Sequence, residues 1–169
     1  MDINDRELLA LTLQAEAGNQ GLDGMMAAGS VIMNRANTSG YGNGLRGVIL
    51  KPGQFSSWNS STGYAGGEQG QDMTKMRASD DAYKAADALI AGGYEDVTGG
   101  ATHFYNPDIS QPNWGQKAGG DWKRIGDHVF GFADSNGGLL TSSGGANIMP
   151  MDPTKKPYMM GGDQTYSSN

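Results

Sequence analysis

Glu16 stands near the end of the apolar run LLALTLQAEA, residues 8–17, and a carboxylic acid in such a setting can be kept protonated to act as a proton donor. Asn4 is placed to cap a helix there, with Glu7 reaching back to complete a capping box and Leu8, Leu9, Leu11 and Leu13 as its apolar anchor. Gly18 is the expected stop. Glu16 then lies at the negative end of the helix macrodipole, and packing against Ala15 and Ala17 would strip water from it. Both effects disfavour the ionised form. The plain alternative is an exposed helical glutamate with no chemistry, the commoner fate of this residue type.

Several elements must position that acid. Leu22 to Ala36 reads as a second helix, with Asp23 as its expected cap and Met25, Met26, Gly29, Ile32 and Met33 on an apolar face. The methionines read as core filling, and Gly29 as a point of close helix approach. Leu45 to Leu50 is a short helical turn halted by Pro52, and residues 60–71 form a polar, glycine-rich loop bordering a cleft. Ser79 caps an amphipathic helix to Ala91, with Asp80 and Asp81 in its first turn and Tyr83, Ala86, Leu89 and Ile90 on one side. From Val97 to Phe104, β-branched and aromatic residues predict a short strand in a small sheet.

A chain of 169 residues is long enough for one domain with a real core, expected over residues 1–133. From residue 134 to 169 periodicity disappears and Gly, Ser and Pro dominate, the composition of an extended tail. Such a tail is either disordered or, through Ile148, Met149, Met151, Tyr158, Met159 and Met160, able to dock on a partner, and both readings stay open. Cysteine is absent, so neither disulfides nor thiolate metal sites are available. The formal charge of -6 argues against nonspecific binding to nucleic acid or to anionic membranes. No apolar run approaches the roughly twenty residues of a membrane span. The acidic start MDINDRELL lacks the basic and apolar regions of a secretory signal. His103 and His128 are the only histidines and form no compact motif such as HExxH, so no metal and no cofactor is expected. Trp58 and Trp114 are the expected sugar-stacking aromatics, against the alternative that they are core anchors.

Four segments in order carry a family resemblance: EAGNQGLDGMMAAGSVIMNR (16–35), GVILKPGQFSSWN (47–59), DVTGGATHFYNPD (96–108), and Trp114 followed by RIGDHVFG (124–131). The first is similar to the signature EARGEPxxGxxAVGxVIxNR of the SleB-type, spore cortex-lytic cell wall hydrolases. The resemblance implies a mainly helical α+β, lysozyme-like and lytic-transglycosylase-like domain with a small β-sheet. It also implies cleavage of peptidoglycan glycan strands between N-acetylmuramic acid and N-acetylglucosamine, with Glu16 as general acid and then base. One carboxylate suffices there because the muramic acid 6-hydroxyl closes onto C1, whereas a conventional glycosidase needs two. Polar groups at Thr102, Tyr105 and Asn106 would line the groove. The chain departs from the signature at Gly18, Asn19, Gln20 and Gly21, where the family has Arg-Gly-Glu-Pro. Gln20 cannot replace a second glutamate in proton transfer, and Asp23, Asp96 and Asp108 are weak substitutes. The rivals are an N-acetylmuramoyl-L-alanine amidase and a noncatalytic wall-binding or virion structural protein. A wall-degrading enzyme without a signal peptide is expected to be a bacteriophage protein, in the virion or host cytoplasm, acting on the cell wall, with virion proteins as partners of the tail; the alternative is a mature fragment of a longer secreted bacterial enzyme.

Overall fold

The computed structural model describes residues 2–66, 72–110, 112 and 122–132. The boundary expected at residue 133, the tail 134–169 and Trp114 lie outside the described residues. Among the described residues, five helices precede a three-stranded sheet: α1 (Asp5–Ala17), α2 (Gly21–Ala36), α3 (Gly44–Ile49), α4 (Asn59–Thr62), α5 (Asp80–Ala91), β1 (His103–Tyr105), β2 (Lys123–Ile125) and β3 (His128–Gly131). Single 3-10 turns occupy Ser56–Trp58 and Met73–Lys75. The expected mainly helical α+β architecture with a small sheet is the one observed.

Local chemistry explains most boundaries. The Asn4 side chain accepts from the Glu7 amide at 2.8 Å, one half of the expected capping box. Glu7 does not supply the other half, because its carboxylate accepts the Tyr83 hydroxyl at 2.6 Å and joins α1 to α5. Gly18 ends α1 with φ -60, so it is not a left-handed cap; that conformation falls on Gly21, φ 67, where the chain turns into α2. Asp23 lies in the first turn of α2, and Gln20 is the residue at its N-cap, which corrects the expected Asp23 cap. Ser79 accepts from the Ala82 amide at 3.2 Å and starts α5 as expected. The loop expected from residue 60 begins instead with helix α4, which runs to Thr62.

α1, α2 and α5 pack on one another around Leu8, Leu9, Leu13, Ile32 and Leu89, with Leu45, Ile49 and Trp58 closing the far side. A Cβ on Gly29 would collide with Leu89 Cδ1, so this glycine allows the close approach of α2 and α5. Buried Thr12 donates to the Leu8 carbonyl at 2.7 Å and accepts the Trp58 indole N–H at 2.9 Å. Neither polar group is left without a partner.

The sheet has order β1-β3-β2, all antiparallel, with His103 opposite Gly131 and Ile125 opposite His128. It lies along α2 through a second apolar cluster of Ala27, Val31, Ala101 and Phe130. Its first strand is shorter than expected. Asp96 accepts from the Thr98 amide at 2.8 Å, the Thr98 hydroxyl at 2.6 Å and the Gly100 amide at 2.8 Å. Those bonds wrap residues 96–100 into a turn and defer β1 to His103.

Candidate active site

The last turn of α1 and the C-terminal end of α2 bring the candidate acid and its surroundings together. Glu16 is half-buried, and its neighbour Ala17 is fully buried while Ala15 is exposed. Ser57, in the turn after Phe55, donates its hydroxyl to Glu16 Oε1 at 3.4 Å. Burial pushes the Glu16 carboxyl above the ordinary carboxylate range, against the opposing Ser57 bond and the positive charge of Arg35. A shift in that direction is the one general-acid chemistry needs.

Arg35 is 9% exposed, and its Nε donates to the Thr102 carbonyl at 2.6 Å. Its guanidinium carbon lies 5.4 Å from the centre of the Tyr41 ring and 5.6 Å from that of Phe55. Burial lowers its proton affinity, while Tyr41 and Glu16 act in the opposite direction. His103 lies edge-on to Tyr41, centroids 5.9 Å apart, and burial together with the Arg35 charge holds its pKa down to about 4. At neutral pH it is an uncharged imidazole. Next to Arg35, Asn34 donates to Asp96 Oδ2 at 2.9 Å and to the Ala101 carbonyl at 3.0 Å. The two adjacent side chains at the end of α2 thus hold the segment that leads into β1. At the other end of α2, Gln20 donates to Asp127 Oδ2 at 2.8 Å and accepts the Asp127 amide at 3.0 Å, tying down the β2–β3 turn.

The expected site residues distribute unevenly. Thr102 is buried, with its carbonyl on Arg35 and its hydroxyl 3.1 Å from His103 Nδ1, so it is brought close to the Glu16 surroundings. Strand alternation turns Phe104 into the second cluster, where it stacks on Phe130 at 5.5 Å, and leaves His103 and Tyr105 on the opposite face. On that face Tyr105 meets Trp122 edge-on at 5.5 Å, and Trp122 lies over Gly131, where a Cβ would sit 2.6 Å from the indole. Asn106 accepts from the Asp108 amide at 2.9 Å and so pins a turn beside Pro107. Trp58 is 1% exposed, a correction to its expected place in the groove: its faces are inside the core, and its N–H is held by Thr12. Asp96 is occupied by its turn, and Asp108 pairs with Arg124 at 3.0 Å. Sequence reasoning missed Ser57 and Arg35 as site residues, although both fall inside the quoted motifs. Among the described residues no group of three or more His, Asp or Glu is arranged to hold a metal ion. No described helix is long and apolar enough to cross a membrane.

A three-helix core, a small antiparallel sheet laid along one of its helices and an enclosed carboxyl group at a helix end define a lysozyme-like domain. The chain belongs to the cell wall hydrolase family, whose sequence model, described as Cell Wall Hydrolase, matches residues 19–131. Glu16 lies just before the matched span. A spore cortex-lytic enzyme of Halalkalibacterium halodurans is 33% identical over 132 residues, covering 75% of this chain and 34% of that protein. The Bacillus subtilis spore cortex-lytic enzyme is 32% identical over 75% of this chain and 37% of its own length. The chain thus spans well under half of these curated relatives. The catalytic domain of the germination-specific lytic transglycosylase SleB from Bacillus anthracis superposes with a TM-score of 0.59 at 27% identity, over 77% of this chain and 95% of that one. The Bacillus cereus SleB catalytic domain gives 0.55 at 26% identity, over 75% and 88%.

Proposed function

We propose that this domain cleaves the glycosidic bond between N-acetylmuramic acid and N-acetylglucosamine in peptidoglycan as a lytic transglycosylase. The observation that carries the reading is the Glu16 carboxyl, enclosed at the end of α1, biased toward its protonated form by burial and touched by Ser57. Glu16 gives its proton to the glycosidic oxygen, and the C1–O bond breaks with its electron pair going to that leaving oxygen. The muramic acid 6-hydroxyl then attacks C1, and its proton returns to the Glu16 carboxylate. The products are a 1,6-anhydro end and a free 4-hydroxyl, and no water is consumed. Such a route needs one carboxyl group rather than the pair a hydrolytic glycosidase uses.

Tyr105 and Trp122, together on the sheet face that also carries His103, are the proposed sugar-stacking surface in place of Trp58. Thr102 belongs to the site through its contacts with Arg35 and His103. Asn106 is proposed to shape the adjoining turn, and Trp114 retains its sequence-based assignment as a groove aromatic. The partner is the glycan strand, and neither a viral source nor a virion partner forms part of the proposal. The direct test is solubilisation of purified peptidoglycan by the parent and by Glu16→Gln, with and without a chelator. The reading expects chelator-resistant cleavage that the variant loses. Release of stem peptides from intact glycan would replace it with the amidase reading.

A further inference from the structure

Arg35 is a buried cation that no step of that scheme uses. Long cationic side chains are rarely buried without a charge to answer, and this one is fixed from three sides. The Thr102 carbonyl accepts its Nε at 2.6 Å, and the Tyr41 and Phe55 rings flank its guanidinium at 5.4 and 5.6 Å. Phe55 leads directly into the turn whose Ser57 hydroxyl touches Glu16 at 3.4 Å, so Arg35 and Glu16 are positioned by the same short segment. The charged and titratable groups that face one another here are Glu16, Arg35, Tyr41 and His103. His103 is neutral, so Arg35 is the cation in this set and Glu16 the carboxyl group that can become its anion.

We propose that Arg35 is the electrostatic positioning partner of Glu16, holding the carboxylate formed when the acid has given up its proton so that the same group can serve as base in the second half of the turnover. The inference rests on the transglycosylase reading above. In the resting site burial outweighs the Ser57 bond and the Arg35 charge and shifts Glu16 toward its protonated form. At the transition state negative charge grows on Glu16 in a water-poor site, where a fixed guanidinium is worth more than in solvent. A stationary cation serves both half-reactions, easing proton departure without carrying a proton itself, since arginine does not titrate in the working range.

The experiment compares pH profiles of kcat and kcat/KM for the parent, Arg35→Met, Arg35→Lys and Glu16→Gln on purified peptidoglycan, with circular dichroism to establish folding. Arg35→Met fills the space between the two rings without the charge. Its maximal kcat should fall about 10- to 100-fold, at or below the lower end of the roughly 100- to 10,000-fold contributed by a general acid–base group itself, as suits a residue that acts through another. At the same time the alkaline limb of kcat/KM should move up by about one pH unit, because the charge that favoured ionisation of Glu16 is gone. Arg35→Lys keeps the charge, and its limb should stay with the parent's and its kcat within about tenfold. A merely structural Arg35 would lower activity in both variants with the limb unmoved, and that result overturns the proposal. Should Arg35→Met fail to fold, the Lys variant decides: a folded Arg35→Lys as inactive as Glu16→Gln refutes the charge role. Full activity in Glu16→Gln overturns the underlying reading together with this one, whereas loss in Glu16→Gln beside an unmoved limb in Arg35→Met overturns only the role of Arg35.

Discussion

Asn34→Asp changes one atom's chemistry at the point where α2 holds the segment entering β1. The amide nitrogen of Asn34 gives two hydrogen bonds, to Asp96 Oδ2 at 2.9 Å and to the Ala101 carbonyl at 3.0 Å. Aspartate at this position donates neither, and it sets a second carboxylate against Asp96. Losing a bond to a charged acceptor costs about 1.5–3 kcal/mol and leaving a buried carbonyl unanswered about 1 kcal/mol more, before any repulsion is counted. A total of about 2.5–4 kcal/mol is a large part of the roughly 5–15 kcal/mol that stabilises a typical domain. It corresponds to a fall in Tm of about 10 °C for a chain of this size. The pH dependence separates repulsion from simple bond loss. In the parent, burial pulls Asp96 upward, but bonds from Thr98, Asn34 and Gly100 outweigh it and hold the carboxyl below its ordinary value. The stability this contributes is present above the unfolded pKa and lost as pH falls through the folded one. In Asn34→Asp the two facing carboxylates raise one pKa above its unfolded value, so stability is lost as pH rises through that window and is partly regained near pH 5. Urea unfolding at about pH 7 and about pH 5, with Asn34→Ala as the control that loses the bonds without repulsion, measures both effects. A loss under about 1 kcal/mol in Asn34→Asp, with no recovery at the lower pH, would refute the view that α2 positions the sheet through this residue.

Glu16→Gln should stabilise the fold at neutral pH: burial raises the Glu16 pKa, so its ionisation weakens the native state as pH rises through that value. Melting curves should converge near pH 4, and a variant less stable than the parent at neutral pH would contradict the burial assignment. Gln20→Glu should lose up to about 1 kcal/mol by facing Asp127, and Asp127→Asn in the same chain should return it; a double-mutant cycle with no coupling would dismiss the clamp. Trp58→Phe should cost about 1–2 kcal/mol of stability through the lost bond to Thr12 yet leave the KM for peptidoglycan unchanged; a raised KM in a folded variant would return Trp58 to the substrate side.

Legibility in the sequence followed the separation of the interacting residues along the chain. The leucine run of α1, the Ser79 cap of α5 and the small residue at Gly29 are local signals, and each forms the expected feature. Trp58 was misplaced because the hydroxyl that satisfies its indole belongs to Thr12, 46 residues away. Its amphipathic ring looks the same in sequence whether it faces a sugar or a core. The strand expected from Val97 was too long because residue composition does not reveal that the Asp96 side chain captures the amides of Thr98 and Gly100. Glu16 itself stood out by its position at a helix end, while the groups that set its chemistry, Ser57 and Arg35, reach it only through folding. Their types gave no advance sign: serine in a turn and arginine in a last helical turn are ordinary in those places.

The most direct measurement is mass spectrometry of the glycan ends released from purified peptidoglycan by the parent and by Glu16→Gln. Fragments ending in 1,6-anhydromuramic acid from the parent, absent with the variant, are the predicted result. Reducing muramic acid ends would contradict the intramolecular route, and anhydro ends persisting in Glu16→Gln would contradict the assignment of Glu16 as the acid.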